Sequence, residues 1–166
     1  MVWVRLIQII KKNRDPINLN PFFNIYNKNI MAAGRYSFTI EQGNTVDFEL
    51  QYQDASNTPV DLTGYTAAMS IRSTYSGSGA TYLSLTSLSG SQYDEGKPSG
   101  SAFLSISGSN LTTDPVSGSI GIYIGWEVAD SLTFSSQAYY DIELTSGNIR
   151  TRILEGRINL SKQVTY

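Results

Sequence analysis

The sequence predicts an all-β domain built as an antiparallel sandwich, and three observations carry that expectation. From Arg35 onward, apolar and polar residues alternate with period two, the mark of strands buried on one face. Clusters of Gly, Pro, Asn, Asp and Ser punctuate those runs at regular intervals. No long stretch repeats its apolar residues at helical spacing.

The elements follow in order. "RYSFTI" puts Tyr36, Phe38 and Ile40 on one face of a strand. After the "EQGN" turn, "TVDFELQYQ" puts Val46, Phe48, Leu50 and Tyr52 inward and Asp47, Glu49, Gln51 and Gln53 outward. "DASNTP" reads as a turn, and "VDLTGYTAAMSIRS" bends at Gly64 into a strand around Ala67, Met69 and Ile71. Residues 73–100 read as a loop-rich excursion with one strand near Tyr82–Leu88. Ala102, Leu104 and Ile106 mark another strand, and Ile120, Ile122 and Ile124 the next. "WEVADSLTF" is expected to make one or two helical turns, with Val128 and Leu132 four apart. "AYYDIELT" puts Tyr140, Ile142 and Leu144 on one face, and "IRTRILEG" with "RINLSKQV" closes the chain. About eight or nine short strands, one short helix and a marginally structured amino-terminal extension predict an immunoglobulin-like sandwich.

The bulk numbers set limits on function. A chain of 166 residues supports one domain with its own core, placed at residues 35–166. With no histidine and no cysteine, disulfides, thiolate zinc sites, cysteine nucleophiles and Ser-His-Asp chemistry are excluded. Residues 1–30 carry Arg5, Lys11, Lys12, Arg14 and Lys28 against Asp15, a net of +4, and residues 31–166 carry −6. An acidic body argues against nucleic-acid binding, which needs clustered Lys and Arg.

Residues 1–34 differ in character, being rich in Asn, Ile and Phe. The run "MVWVRLIQIIKKNR" is interrupted by Arg5 and Gln8 with its bases after the apolar part, the reverse of a signal peptide, and is too short to span a bilayer. Its apolar residues alternate and then cluster, fixing neither period. Two readings stand: a start at Met31 with upstream residues outside the functional chain, or a basic arm that docks on a neighbouring subunit or lies at an interface.

Several positions invite a functional reading. Pro59, Asp61 and Gly64 in "PVDLTG" form a corner: Pro fixes φ, Asp can hydrogen-bond local backbone, and Gly permits the bend. Asp94 and Glu95 sit in a loop as solvated neighbours, and Glu127 and Asp130 share a helical face but supply too few ligands for calcium. No metal, cofactor or catalytic set is specified, and a small hydrolase would have only loop carboxylates to use. Tyr75, Tyr82, Tyr93, Tyr123 and Tyr139 exceed what a core of this size needs, and with Trp126 they are candidates for protein or sugar contacts.

The stretch "YDIELTSGNIRTRILEG" carries Asp141 and Glu143 on one side of a turn and Arg150 and Arg152 on the other. A Ser146-Gly147 loop sets Glu143 opposite Arg150 and Asp141 opposite Arg152; a Gly147-Asn148 loop sets Glu143 opposite Arg152. In either register acids meet bases on one face, which reads as a register clasp and not as an active site.

The segments "YSFTIEQGNTVDFELQYQDASNTPVDLTGYTAAMSIRS" and "YYDIELTSGNIRTRILEGRINLSKQVT" resemble a recurrent group of small proteins from tailed bacteriophages and prophages. The likeness covers roughly Tyr36 to Thr165, is weaker in the middle and excludes residues 1–30. "PVDLTGYTAAMSIR" is also similar to the amino-terminal immunoglobulin-like domains of phage baseplate subunits. The resemblance implies a non-enzymatic virion protein of the tail, baseplate or fibre-attachment region, present in the host cytoplasm before assembly. Its implied partners are other virion proteins and copies of itself, with no nucleic acid and no membrane. A carbohydrate-binding or adhesin module and a head or neck decoration protein are the alternatives.

Overall fold

A computed structural model describes residues 4–11, 33–75, 78–87, 100–106 and 118–164. Among these are ten strands: β1 (Val4–Lys11), β2 (Gly34–Arg35), β3 (Phe38–Glu41), β4 (Val46–Asp54), β5 (Thr66–Arg72), β6 (Thr81–Thr86), β7 (Ala102–Ser105), β8 (Ser119–Ile124), β9 (Gln137–Ser146) and β10 (Ile149–Ser161). One short helix, α1 (Trp126–Asp130), joins β8 to β9.

The strands form two sheets. One has the order β1-β4-β8-β7; the other has β2-β10-β9-β5-β6, with β3 continuing the β2 edge along β10. Every pairing is antiparallel except those of β2 and β3, which run parallel to β10. Lettered along the chain, this is an ABED sheet facing a GFC sheet extended by C′, the arrangement of an immunoglobulin-like sandwich. Its leading strand is shared out: β1 borders the first sheet, and β2 and β3 border the second.

The core follows from the alternation. Ile40, Leu50, Ile71, Ile122 and Ile142 are fully buried in one cluster fed by both sheets. No disulfide crosses this core, so apolar burial at about 25 cal/mol per Å² is its main source of stability. Residues 4–11, whose composition fixes no period, pair along β4 from Val4↔Asp54 to Lys11↔Phe48.

Local chemistry explains the turns. At "EQGN" the Asn44 N–H donates to the Glu41 carbonyl at 3.0 Å, and Gly43 takes φ +75°. In "DASNTP" one carboxylate oxygen of Asp54 accepts from the backbone N–H groups of Ser56 and Thr58 at 2.8 and 2.9 Å. β6 lies in the expected 73–100 excursion, most of whose loops fall outside the described residues, and β7 falls on the strand expected around Ala102 and Leu104.

In β10 the register shifts between Arg152 and Leu154, so Ile153 is a bulge residue and both Ile153 and Leu154 are buried. The bulge reverses the inward phase from odd to even numbers. As a result Arg152 and Glu155 come to share the outer face.

Candidate binding surface

The outer face of the six-stranded sheet is set by parity. Facing outward are Arg72, Ser70, Ala68 and Thr66 on β5, Tyr139, Asp141, Glu143 and Thr145 on β9, and Arg157, Glu155, Arg152 and Arg150 on β10. Arg35 of β2 lies beside Glu155. All five arginines of residues 31–166 are therefore on this one face, with three carboxylates among them.

The hairpin takes the second of the two registers. Ser146 pairs with Ile149, leaving Gly147 and Asn148 as the loop, and Glu143 stands opposite Arg152. Of the two loop residues only Gly147 has positive φ, +56°, the sign pattern of a type II′ turn with glycine first. The ion pairs run diagonally: Arg150 reaches Glu143 and Arg152 reaches Asp141, each at 3.5 Å. Glu155 adds a contact to Arg152 at 3.0 Å and another to Arg35 at 3.2 Å. The hydrogen bond from Arg152 to Glu155 pushes the guanidinium pKa up against the opposing effect of desolvation, and the charges of Asp141, Glu155 and Glu143 add to the rise. Both arginines are at least half exposed, so each pair contributes only about 0.2–1 kcal/mol.

A second cluster lies where β9 begins. Tyr139 is in register with Arg72 on one side and Arg157 on the other. The Tyr75 ring, 62% exposed, leans on Tyr139 with ring centroids 4.2 Å apart at 44°. Tyr36 lies at the edge of this region, held by its N–H donating to the Glu155 carbonyl at 3.0 Å. Beneath it, the Tyr140 hydroxyl donates to the Tyr36 carbonyl at 2.9 Å, and burial pushes the Tyr140 hydroxyl pKa up. Gly156 makes this crossing possible, since a Cβ there would fall on the Tyr36 carbonyl oxygen.

The other singled-out residues are dispersed. Tyr82 is half-buried, its ring 5.2 Å from Phe134 and packed on the core. Trp126 opens α1 and is 47% exposed, on another part of the sandwich. Tyr123 is buried beside Phe103 with centroids 5.1 Å apart, on the outer side of the four-stranded sheet. Tyr93, Asp94 and Glu95 lie outside the described residues. Asp130 accepts from the Gln163 side chain at 3.2 Å, and among the described residues no group of three or more metal-ligating acids converges.

The corner is local. The Asp61 carboxylate accepts from the Thr63 hydroxyl at 2.6 Å and from its N–H at 2.8 Å, and these bonds hold its pKa below the usual range. Gly64 has φ +77°, and Leu62 between them is buried. Pro59 is exposed and bridges to Gln53.

Sequence reasoning missed Arg72, Arg157, Glu155 and Gly156. The adjacent apolar pair Ile153-Leu154 is the signal for the bulge, and parity counted through it would have found Glu155 and Arg157; Arg72 follows from the parity of Ala67, Met69 and Ile71 on β5.

No protein-family model matches the chain, and no curated protein matches it. Among solved structures it is similar to a chicken TCR crystal structure at 12% identity and TM-score 0.41, over 78% of this chain and 54% of that one. The chain thus spans about half the length of that neighbour.

Proposed function

We propose that this protein is a non-enzymatic structural subunit of a tailed-bacteriophage particle, an adaptor of the tail, baseplate or fibre-attachment region that works through protein–protein contacts. One observation carries the reading: the two segments that bear the phage resemblance are spatial neighbours. β5 pairs with β9 and β3 pairs with β10, so they join in the six-stranded sheet. The arginine-rich outer face of that sheet and its edge strands are suited to subunit contacts repeated by symmetry. Mass spectrometry of purified particles, with and without the gene, tests this. The expected result is a stoichiometric particle component whose deletion blocks tail or fibre attachment; its absence from particles that assemble normally would overturn the proposal.

A second reading, a carbohydrate-binding module, is favoured by the exposed Tyr75 ring leaning on Tyr139 between two arginines. Glycan binding that survives Tyr75→Ala would remove it.

A further inference from the structure

We propose that β1 is an exchangeable strand: among closely packed copies it leaves its own β4 and pairs on the β4 edge of a second copy of this chain. The inference names a partner surface for the particle-protein reading, and rests on that reading for the close packing of copies.

Chain direction supplies the first argument. β1 runs antiparallel to β4 and ends with Lys11 level with Phe48, near the start of β4. β3 ends at Glu41 and turns over residues 42–45 into β4, so the β2–β3 edge also runs opposite to β4. Both stretches run the same way, and after Lys11 the chain has to return a strand length, roughly 20–25 Å, before β2 begins at Gly34. β1 is therefore a separate strand laid on the β4 edge, joined to the body only through residues 12–32. Those 21 residues can extend to about 70 Å, enough to reach the β4 edge of an adjacent sandwich.

The β4 edge supplies the second. Tyr52 spends its backbone groups away from β1, its N–H donating to the Gly118 carbonyl at 2.8 Å and its carbonyl accepting from the Val60 N–H at 3.0 Å. By alternation the N–H and C=O groups of Glu49, Gln51 and Gln53 point to the side that β1 occupies, opposite Ile10, Gln8 and Leu6. Such a row has to be paired, and the same register serves whether β1 comes from the same copy or another. The far edge of β1 is blunted: its register shifts between Val4 and Leu6, leaving Arg5 unpaired with β4, and the strand closes on Lys11. A second copy is thus met by giving the strand and not by adding to it. Charge favours the transfer, because bodies of charge −6 repel one another at close range and an arm of +4 laid on the neighbour offsets that repulsion.

The test uses the full chain, which has no cysteine of its own, and the register pair Gln8 and Gln51, which lie within disulfide reach. Gln8→Cys and Gln51→Cys chains of different tagged mass are mixed, oxidised and run on a non-reducing gel. The mixed disulfide should form at least about tenfold faster than between Gln8→Cys and Asn148→Cys, a control at the exposed hairpin tip. The Gln8→Cys/Gln51→Cys double variant should shift from closed monomers to covalent dimers and larger species as its concentration rises from about 1 µM to about 1 mM. Closure only within one chain across that range, or a mixture no faster than the control, would overturn the proposal and make β1 a permanent edge of its own domain. Should a variant fail to fold, the unaltered chain decides: a fluorescent peptide of residues 1–14 should bind it saturably and a scrambled peptide should not, and absence of binding overturns the proposal. Failure of strand exchange leaves the particle-protein reading standing, since that is decided by presence in particles. Absence from particles would end that reading while exchange in solution stands.

Discussion

The two outer faces of the sandwich are built on the same alternation and end up opposite in character. On the six-stranded sheet the outward residues are charged and open, with Arg150 and Arg152 having side chains 70% and 50% exposed. On the four-stranded sheet the outward row Phe103–Tyr123 is buried, each residue only 5% exposed, and Ser105 and Ser119 beside it are buried too. Period-two patterning says which side of a strand a residue occupies, and it does not say whether that side meets water. Burial on the second face adds a small apolar cluster of its own, separate from the main core.

The contrast depends first on strands β2 and β3 staying docked on β10. Gly156→Ala puts a methyl group onto the Tyr36 carbonyl oxygen and forces that backbone away, carrying Arg35 from the charged face. The expected cost is about 3 kcal/mol or more, read from urea unfolding, because the obstructing atom is backbone and cannot rotate aside. A loss below about 1 kcal/mol would mean that the parallel edge contributes little.

Phe103→Ala breaks the other half of the contrast. If the outer side of the four-stranded sheet is a working core, removing this ring costs about 3 kcal/mol, as for a buried aromatic elsewhere. A loss under about 0.5 kcal/mol would place the ring at an ordinary surface and make the two faces alike.

Alkaline pH sharpens the comparison next. Burial raises the hydroxyl pKa of Tyr36, Tyr52, Tyr123 and Tyr140, with Tyr52 pushed up to about 12. These groups bind more protons folded than unfolded above pH 10, so their contribution is complete below that pH and is lost as pH rises towards 12 and beyond. Unfolding midpoints should fall steadily above pH 10, and Tyr52→Phe should flatten part of that fall. An unchanged slope in Tyr52→Phe would contradict the burial of its hydroxyl.

Reversing Arg150 and Arg152 to glutamate tests the charged lattice. Three ion pairs are lost and like charges meet across the hairpin, so stability should drop by about 1–2 kcal/mol, less in high salt. No change in melting would mean that register is held by Ile142 and Leu144 alone.

How much of this was legible follows from the range of each interaction. The inward rows of β3, β4, β5, β8 and β9 could be read because alternation is local, and so could the corner at Asp61, whose partners are two residues away. The hairpin register has two solutions in the sequence because the choice rests on which loop residue takes positive φ, and both Ser-Gly and Gly-Asn can close a turn. The Tyr75–Tyr139 contact was not legible: it joins residues 64 apart in the chain, and only the pairing of β5 with β9 brings them together. The same holds for Gly156 under Tyr36, a parallel crossing that no local pattern announces.

Tyr75→Ala should have the smallest effect on folding. Its ring is 62% exposed and touches Tyr139, which is itself on the outer face, so truncation leaves no cavity in the main core. The expected change is within about 0.5 kcal/mol by urea unfolding, with an unaltered dependence on denaturant. Set beside Phe103→Ala, this makes the comparison quantitative: two outward aromatics of similar size should differ by about 2–3 kcal/mol, because one is sealed from water and the other is not. A loss above about 1 kcal/mol at Tyr75 would show that its ring braces the sheet end. The exposed aromatic would then be a structural strut, and the case for a ligand at this end would rest on the arginines alone.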